Sequence, residues 1–268
     1  MTTAATRVVF LLGDPVAHSI SPQLHTAAFA ARGIDAVYVA CAVTDAVAAV
    51  DGLSALGALG ANITVPHKRA VWEHVPHRTP EAELIGAANT LFRDGARWVA
   101  DNTDATGVQR VLTDDIGLRP ADGVVVVGAG GAARAVAVAL GRIGARVRVE
   151  ARRSDQATQV QALAQAAGAQ ELPPGAAVRL LVNATPLGLH GEGLPERYLQ
   201  FADDQLVLDL VYGLRATPLV ALARQRGLSA WDGLGMLVAQ AAASFERWTG
   251  RPAPVAVMQR AAHAALRS

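Results

Sequence analysis

Residues 124–153 read VVVVGAGGAARAVAVALGRIGARVRVEARR, and this segment leaves the chain few choices of fold. Four consecutive valines form a run too short for a buried helix and suited to a strand buried on both faces. Gly128, Gly130 and Gly131 follow at once. An alanine-rich run with helical period comes next, and VRVE then returns to a strand. Strand, glycine turn, helix and second strand make the opening unit of a doubly wound parallel sheet. Glycine lets the backbone turn tightly and approach a pyrophosphate, which then meets the amide groups and positive end of the helix. Gly128, Ala129, Gly130, Gly131 and Ala132 would line such a site, with Ala133 at the third fingerprint position; the alternative is a turn with no ligand. Past the second strand stand Glu150, Arg152 and Arg153. An acid here suits the ribose 2′-hydroxyl of NAD, and arginine suits a 2′-phosphate. Two adjacent guanidiniums favour the phosphate, and so NADP(H), while Glu150 keeps NAD open.

The rest of the chain is organised around that unit. RVVFLLG and AVYVACAV read as strands, with helices expected over 22–32, 45–58 and 67–75, an alternation that suggests a parallel sheet. AANTLFRDGARWVA reads as a hairpin turning at Asp94-Gly95. Thr103 or Asp104 would cap a helix running to about residue 113. Beyond the glycine unit come a helix over 155–167 and strands near 178–182 and 205–210. The seam falls at the Asp104 helix and separates two α/β domains. The net charge of +1 gives no reason to expect nucleic acid or an anionic membrane as partner. The apolar stretches are too short or too broken by glycine for a signal peptide or a membrane span. A single cysteine, Cys41, cannot form an internal disulfide and suits a reducing cytoplasm. No metal-ligand pattern is present.

Of the 24 lysine and arginine residues only Lys68 is a lysine. It closes GANITVPHK, residues 60–68. Arginine is permanently charged, whereas lysine can give up a proton and take it back. That makes Lys68 a candidate acid–base group, with chance survival as the bland alternative. Nearby polar clusters need a role too. Ser19 and Ser21 lie just before a helix and would seat a carboxylate or, more simply, let Ser21 cap the helix. Asn62, Thr64, Asn89 and Asp104 fall at element ends.

GDPVAHSISP, GANITVPHK, IGAANT, DNTDATG, GAGGAARA, NATPLG and DGLGMLVAQAA occur here in the order and spacing of shikimate dehydrogenases. The chain resembles that family from about Gly13 to Trp248. The resemblance implies two α/β domains with the active site in the cleft between them. Residues 1–103 and 236–268 would form the substrate-binding and catalytic domain, the last helices returning to it, and 104–235 the Rossmann domain. It implies reversible reduction of 3-dehydroshikimate to shikimate with NADPH, by a monomer or homodimer. Lys68 and Asp104 would be the catalytic pair, Ser19 and Ser21 the carboxylate seat. Thr64, Asn89 and Gln240 would hold ring hydroxyls or that carboxylate. Tyr212, on the substrate, and Gly235, on the cofactor, would lie near the nicotinamide, and Asn183 and Thr185 would line the cofactor near its ribose. The chain departs from the family pattern at Thr26, where asparagine is usual, in VYGLRATP, which lacks an Asn-Pro, and at Ala151-Arg152-Arg153, where Asn-Arg-Thr is common. Quinate or an aminated shikimate as substrate, another Rossmann oxidoreductase, or an NADP-binding sensor without catalysis are the competing readings.

Overall fold

The computed structural model describes residues 2–267. The chain divides into two compact units. The first comprises residues up to Asp104 together with those from Val238 on, and the second runs from Ala105 to Leu237. The first boundary falls in the opening turn of one helix and the second inside another.

The first unit carries β1 (Arg7–Gly13), α1 (Ser21–Ala31), β2 (Ala36–Ala42), α2 (Ala46–Gly52), β3 (Gly60–Ile63), α3 (Lys68–His74), β4 (His77–Arg78), α4 (Pro80–Ile85), β5 (Thr90–Asp94) and β6 (Arg97–Asp101). Its six strands lie in the order β2-β1-β3-β5-β6-β4. The sheet is mixed, not parallel throughout. β1 runs parallel to β2 and β3, but β5 is antiparallel to β3 and to β6. The hairpin accounts for the β5–β6 pair: Gly95 takes φ of +60° and reverses the chain after β5, where a helix would have been needed to keep it parallel. The helix expected over 45–58 stops at Gly52. Glycines at 52 and 57 weaken it, and Gly57 sits at φ +63°, outside the helical region. Leu12, Val50, Leu53, Ile63, Val71 and Leu91 fill one core of this unit.

The second unit starts with α5 (Asp104–Arg110), continued by a π-turn over Val111–Asp115, and then β7 (Gly123–Val127), α6 (Gly131–Ile143), β8 (Arg146–Glu150), α7 (Ser154–Ala166), β9 (Gln170–Glu171), β10 (Leu180–Asn183), β11 (Leu206–Asp209), α8 (Pro218–Gln225), β12 (Ala230–Trp231) and α9 (Leu234–Thr249). α10 (Val255–Ala265) belongs to the first unit, as does α9 from Val238 on. The strand order β9-β8-β7-β10-β11-β12, all parallel, is that of a dinucleotide-binding sheet, whose order reverses beside its first strand. α6 is almost wholly buried, from Ala133 to Gly141, which explains its alanine content: small side chains let it pack closely on the sheet. The helix expected to reach residue 113 widens into the π-turn after Arg110, where the Thr113 hydroxyl bonds back to the Gln109 carbonyl at 3.0 Å.

Candidate active site

α3 begins at Lys68 and α5 at Asp104, so both side chains leave the first turn of a helix. Lys68 Nζ donates to Asp104 Oδ2 at 2.6 Å. The lysine side chain is 26% exposed and the aspartate 8%. The ammonium thus reaches solvent while the carboxylate behind it is enclosed. Asp104 Oδ1 accepts from Asn89 Nδ2 at 2.7 Å. The Asp104 backbone N–H is taken by Asn102 Oδ1 at 3.0 Å, and Asn102 Nδ2 donates to the Ala87 carbonyl. Asn102, which the motif reading passed over, therefore caps the helix, a role expected for Thr103 or Asp104. The carboxylate is free of capping and is turned to the lysine.

Behind this pair lies a buried polar cluster. Asn89 Oδ1 accepts from the Thr103 backbone N–H at 2.8 Å and from the Thr90 hydroxyl at 2.9 Å. Asn62 Nδ2 donates to the Asn89 carbonyl, and lies 3.0 Å from Thr90 Oγ1 and 3.1 Å from Ser244 Oγ. Ser244, fully buried on α9, also stands 2.8 Å from Thr90 Oγ1 and 3.0 Å from Thr103 Oγ1. Gln240, one helical turn before Ser244, places Oε1 3.5 Å from Asn89 Nδ2. Satisfied networks of this kind rigidify a site, because in low dielectric each unmet partner is costly. Asn89 is only 2% exposed. Its amide donates to Asp104 Oδ1 and Thr103 Oγ1, which fixes its orientation beside the pair.

Ser21 is the first residue of α1 and does not cap it with its side chain; Ile20 holds the cap position. The Ser21 N–H donates to Ser19 Oγ at 3.3 Å. The Tyr38 phenol donates to Asn62 Oδ1 at 2.8 Å and so belongs to the cluster. Burial pushes the Tyr38 phenol far up, so it remains protonated. Thr64 follows β3 with its N–H on the Leu12 carbonyl. A Cβ at Gly13 would come within 2.2 Å of the Thr64 methyl, so a glycine there is what admits Thr64. The structure thus gathers Lys68, Asn89, Asp104 and Gln240 in one polar cluster, with Thr64 following β3 and the two serines bonded to each other at the start of α1. Tyr212 belongs to the second unit and is not part of this cluster; burial raises its phenol pKa. Gly235 lies in the first turn of α9, where an added Cβ would stand 3.4 Å from Val111 and 3.5 Å from Asp115.

In the second unit the turn after β7 fits a dinucleotide phosphate on its own geometry. Gly128 has φ +128°, and a Cβ there would sit 2.7 Å from the Ala184 carbonyl. Cβ atoms at Gly130 and Gly131 would meet nothing within 4 Å. The first glycine is demanded by packing, and the other two leave open space at the start of α6. Ala129 and Ala132 complete the turn, both half-buried. Arg152 and Arg153 are exposed just before α7. Asn183 is fully buried, and its amide donates to Asp209 Oδ1 at 2.8 Å and to the Leu187 carbonyl. Its oxygen accepts from the Thr185 N–H and hydroxyl. Asn183 therefore shapes the loop that presents Thr185. Asp209, fully buried, was not marked by any motif; Thr217 donates to its other oxygen at 2.6 Å.

Residues 11–91 match the family profile of the shikimate dehydrogenase substrate binding domain, and residues 233–263 that of the shikimate 5′-dehydrogenase C-terminal domain. A shikimate dehydrogenase (NADP(+)) of Anaeromyxobacter sp. strain Fw109-5 is 44% identical, over 96% of this chain and 96% of that protein. Shikimate 5-dehydrogenase of Thermus thermophilus, solved in complex with NADP(H) and shikimate, superposes with a TM-score of 0.85 at 36% identity, covering 97% of this chain and all of that one. Quinate dehydrogenase from Corynebacterium glutamicum in complex with NAD superposes with a TM-score of 0.86 at 29% identity, covering 96% and 98%. The chain belongs to the shikimate dehydrogenase family.

Proposed function

We propose that this chain catalyses the NADP-dependent, reversible reduction of 3-dehydroshikimate to shikimate. The observation that carries the reading is the Lys68–Asp104 pair, locked by Asn89 and Asn102 within a unit whose sequence matches the family's substrate-binding domain. Reducing a ketone needs a hydride on carbon and a proton on oxygen, and NADPH supplies the hydride when bound. Lys68, partly in solvent, supplies the proton from its ammonium and takes it back in the oxidation. Asp104 holds that ammonium in place and balances its charge. Asn89 holds the carboxylate and Asn102 the Asp104 backbone, so that little reorganisation is needed as the proton leaves. Ser19 and Ser21 seat the substrate carboxylate, with Thr64, Asn89 and Gln240 on the ring hydroxyls or that carboxylate. Tyr212 and Gly235 serve the nicotinamide side. The turn Gly128–Ala132 receives the pyrophosphate, Arg152 and Arg153 the 2′-phosphate, and Thr185 the ribose region. Residues 1–103 with 236–268 handle substrate, and 104–235 the cofactor. We place the enzyme in the cytoplasm, as a monomer or homodimer. Among the described residues no helix is long and apolar enough to cross a membrane.

Steady-state assays with shikimate and with quinate, each with NADP+ and NAD+, test the reading. The expected result is the highest kcat/KM for shikimate with NADP+. A preference for quinate with NAD+ would move the chain to the sister activity, and binding without turnover would make it a sensor. Lys68→Ala should lower kcat by roughly 10²–10⁴ with KM changed much less, the usual effect of losing a positioned acid–base group. Lys68→Arg should not restore the rate, since arginine keeps the charge but does not give the proton.

A further inference from the structure

Glu150 stands at odds with a 2′-phosphate. A carboxylate at the end of the second strand of such a sheet accepts the ribose 2′-hydroxyl and repels a phosphate in the same place. It precedes Arg152 by two residues, and its carbonyl accepts the Gly128 N–H at 2.8 Å, which sets it at the edge of the glycine turn. Its carboxylate, however, is already engaged. Arg148 lies two residues earlier on the same face of β8, and donates from Nε to Glu150 Oε1 at 2.9 Å. The guanidinium is itself tied down, with Nη1 on the Pro173 carbonyl at 3.2 Å. From the other side a 3₁₀ turn over Glu196–Tyr198 brings the Tyr198 ring to the cleft that Glu150 lines. Arg197 donates to the Tyr198 phenol at 3.0 Å and stacks over its ring at 4.6 Å. Arg148, Glu150, Ala151, Ser154, Arg197 and Tyr198 all line one cleft of about 500 Å³.

We infer that Arg148 sets the cofactor preference of this chain, by occupying the Glu150 carboxylate so that the strand end offers Arg152 and Arg153 to a 2′-phosphate instead of a free acid to a ribose 2′-hydroxyl. The inference rests on the second unit being an NADP site. Arg148 is a positioning residue: it acts through Glu150, and its removal uncovers a charge that is already built into the site. The side chains of the pair are about one-third exposed (30% and 31%), so the effect on binding is modest, but it has opposite consequences for the two cofactors.

Calorimetric titration of the full chain with NADP+, NAD+ and 2′,5′-ADP reads this without turnover. Arg148→Met keeps the aliphatic stem and removes the donor. It should weaken NADP+ and 2′,5′-ADP by about fivefold or more, the scale of one uncovered like charge, and leave NAD+ equal or tighter. Adding Glu150→Gln to Arg148→Met should bring NADP+ back to within about twofold of wild type. Equal weakening of both cofactors, no change, or no restoration by Glu150→Gln would overturn the role given to Arg148. Should Arg148→Met melt below the assay temperature for want of the Pro173 contact, Glu150→Gln alone decides. Unchanged NADP+ binding with NAD+ no tighter supports the inference, and weakened NADP+ binding overturns it by making the carboxylate itself a ligand. A wild type that binds neither NADP+ nor 2′,5′-ADP would refute the cofactor reading, an outcome distinct from a wild type that prefers NADP+ while Arg148→Met still does.

Discussion

His25 lies one helical turn after Ser21 on α1 and is fully buried. Its ring stacks on Tyr38 with centroids 4.4 Å apart and meets Trp248 at 5.1 Å. Neither ring nitrogen has a hydrogen-bond partner. Nothing there compensates a charge, so burial lowers its pKa from 6.5 to about 3. The folded chain therefore refuses a proton that the unfolded chain accepts once the pH falls below 6.5. The sign follows from linkage: stability is full above about 6.5 and declines as the pH drops toward 3. At about 1.4 kcal/mol per pH unit, this one residue removes about 2 kcal/mol between pH 7.5 and 5. Urea unfolding of wild type and His25→Leu at those two pH values isolates the effect, because every other group titrates in both proteins. Leucine has a similar volume and no nitrogen to protonate. The wild type should lose about 2 kcal/mol more than the variant. Histidine ring resonances followed by NMR supply the direct check, since His25 should stay neutral down to pH 5. Equal losses in the two proteins, or a His25 midpoint near 6.5 in the folded state, would refute the burial argument.

Gly60→Ala should destabilise the chain by about 1–3 kcal/mol, as overpacking does, because its Cβ would stand 2.2 Å from the Trp248 indole; thermal melting reads it. Asp209→Ala strands the Asn183 amide and the Thr217 hydroxyl in full burial and should cost roughly 2–4 kcal/mol in urea unfolding. Neutralising Arg152 and Arg153 together should raise KM for NADPH far more than for NADH. Ser21→Ala should raise KM for shikimate and leave NADPH binding by calorimetry unchanged; because Ser21 does not cap α1, a loss of helix stability without a KM effect would refute its place on the substrate.

What could be read from the sequence was what local chemistry determines. A four-valine strand and a glycine turn have few alternatives, and β7, α6 and β8 emerge from them where the pattern put them. Lys68 stood out because no other lysine is present, and Asp104 because a polar run interrupts apolar sequence. The hairpin was read from Asp94-Gly95, but its effect on strand direction across the sheet was not, since direction depends on how β5 pairs with β3. Helix lengths failed where a glycine or a side-chain bond to the backbone acts late in the element, at Gly52 and Thr113. The second layer of the site was invisible for a different reason. Ser244 sits in an apolar helix as a small residue without a motif, and Tyr38 in an apolar strand as one more aromatic. Their partners lie far along the chain: Thr90, Thr103 and Asn62 for Ser244, and Asn62 for Tyr38. A buried hydroxyl has no pattern of its own; it is tolerated only because each partner is also buried and also in need of one. The same logic separates the two asparagines from the serines. Asn89 and Asn183 were singled out for their motifs, yet both spend their amides inside the protein, one on the carboxylate that holds Lys68 and one on the carboxylate that shapes the Thr185 loop. Each motif asparagine in this chain thus also fixes an acid in place, so its loss should reach the chemistry through Asp104 or through the Thr185 loop as well.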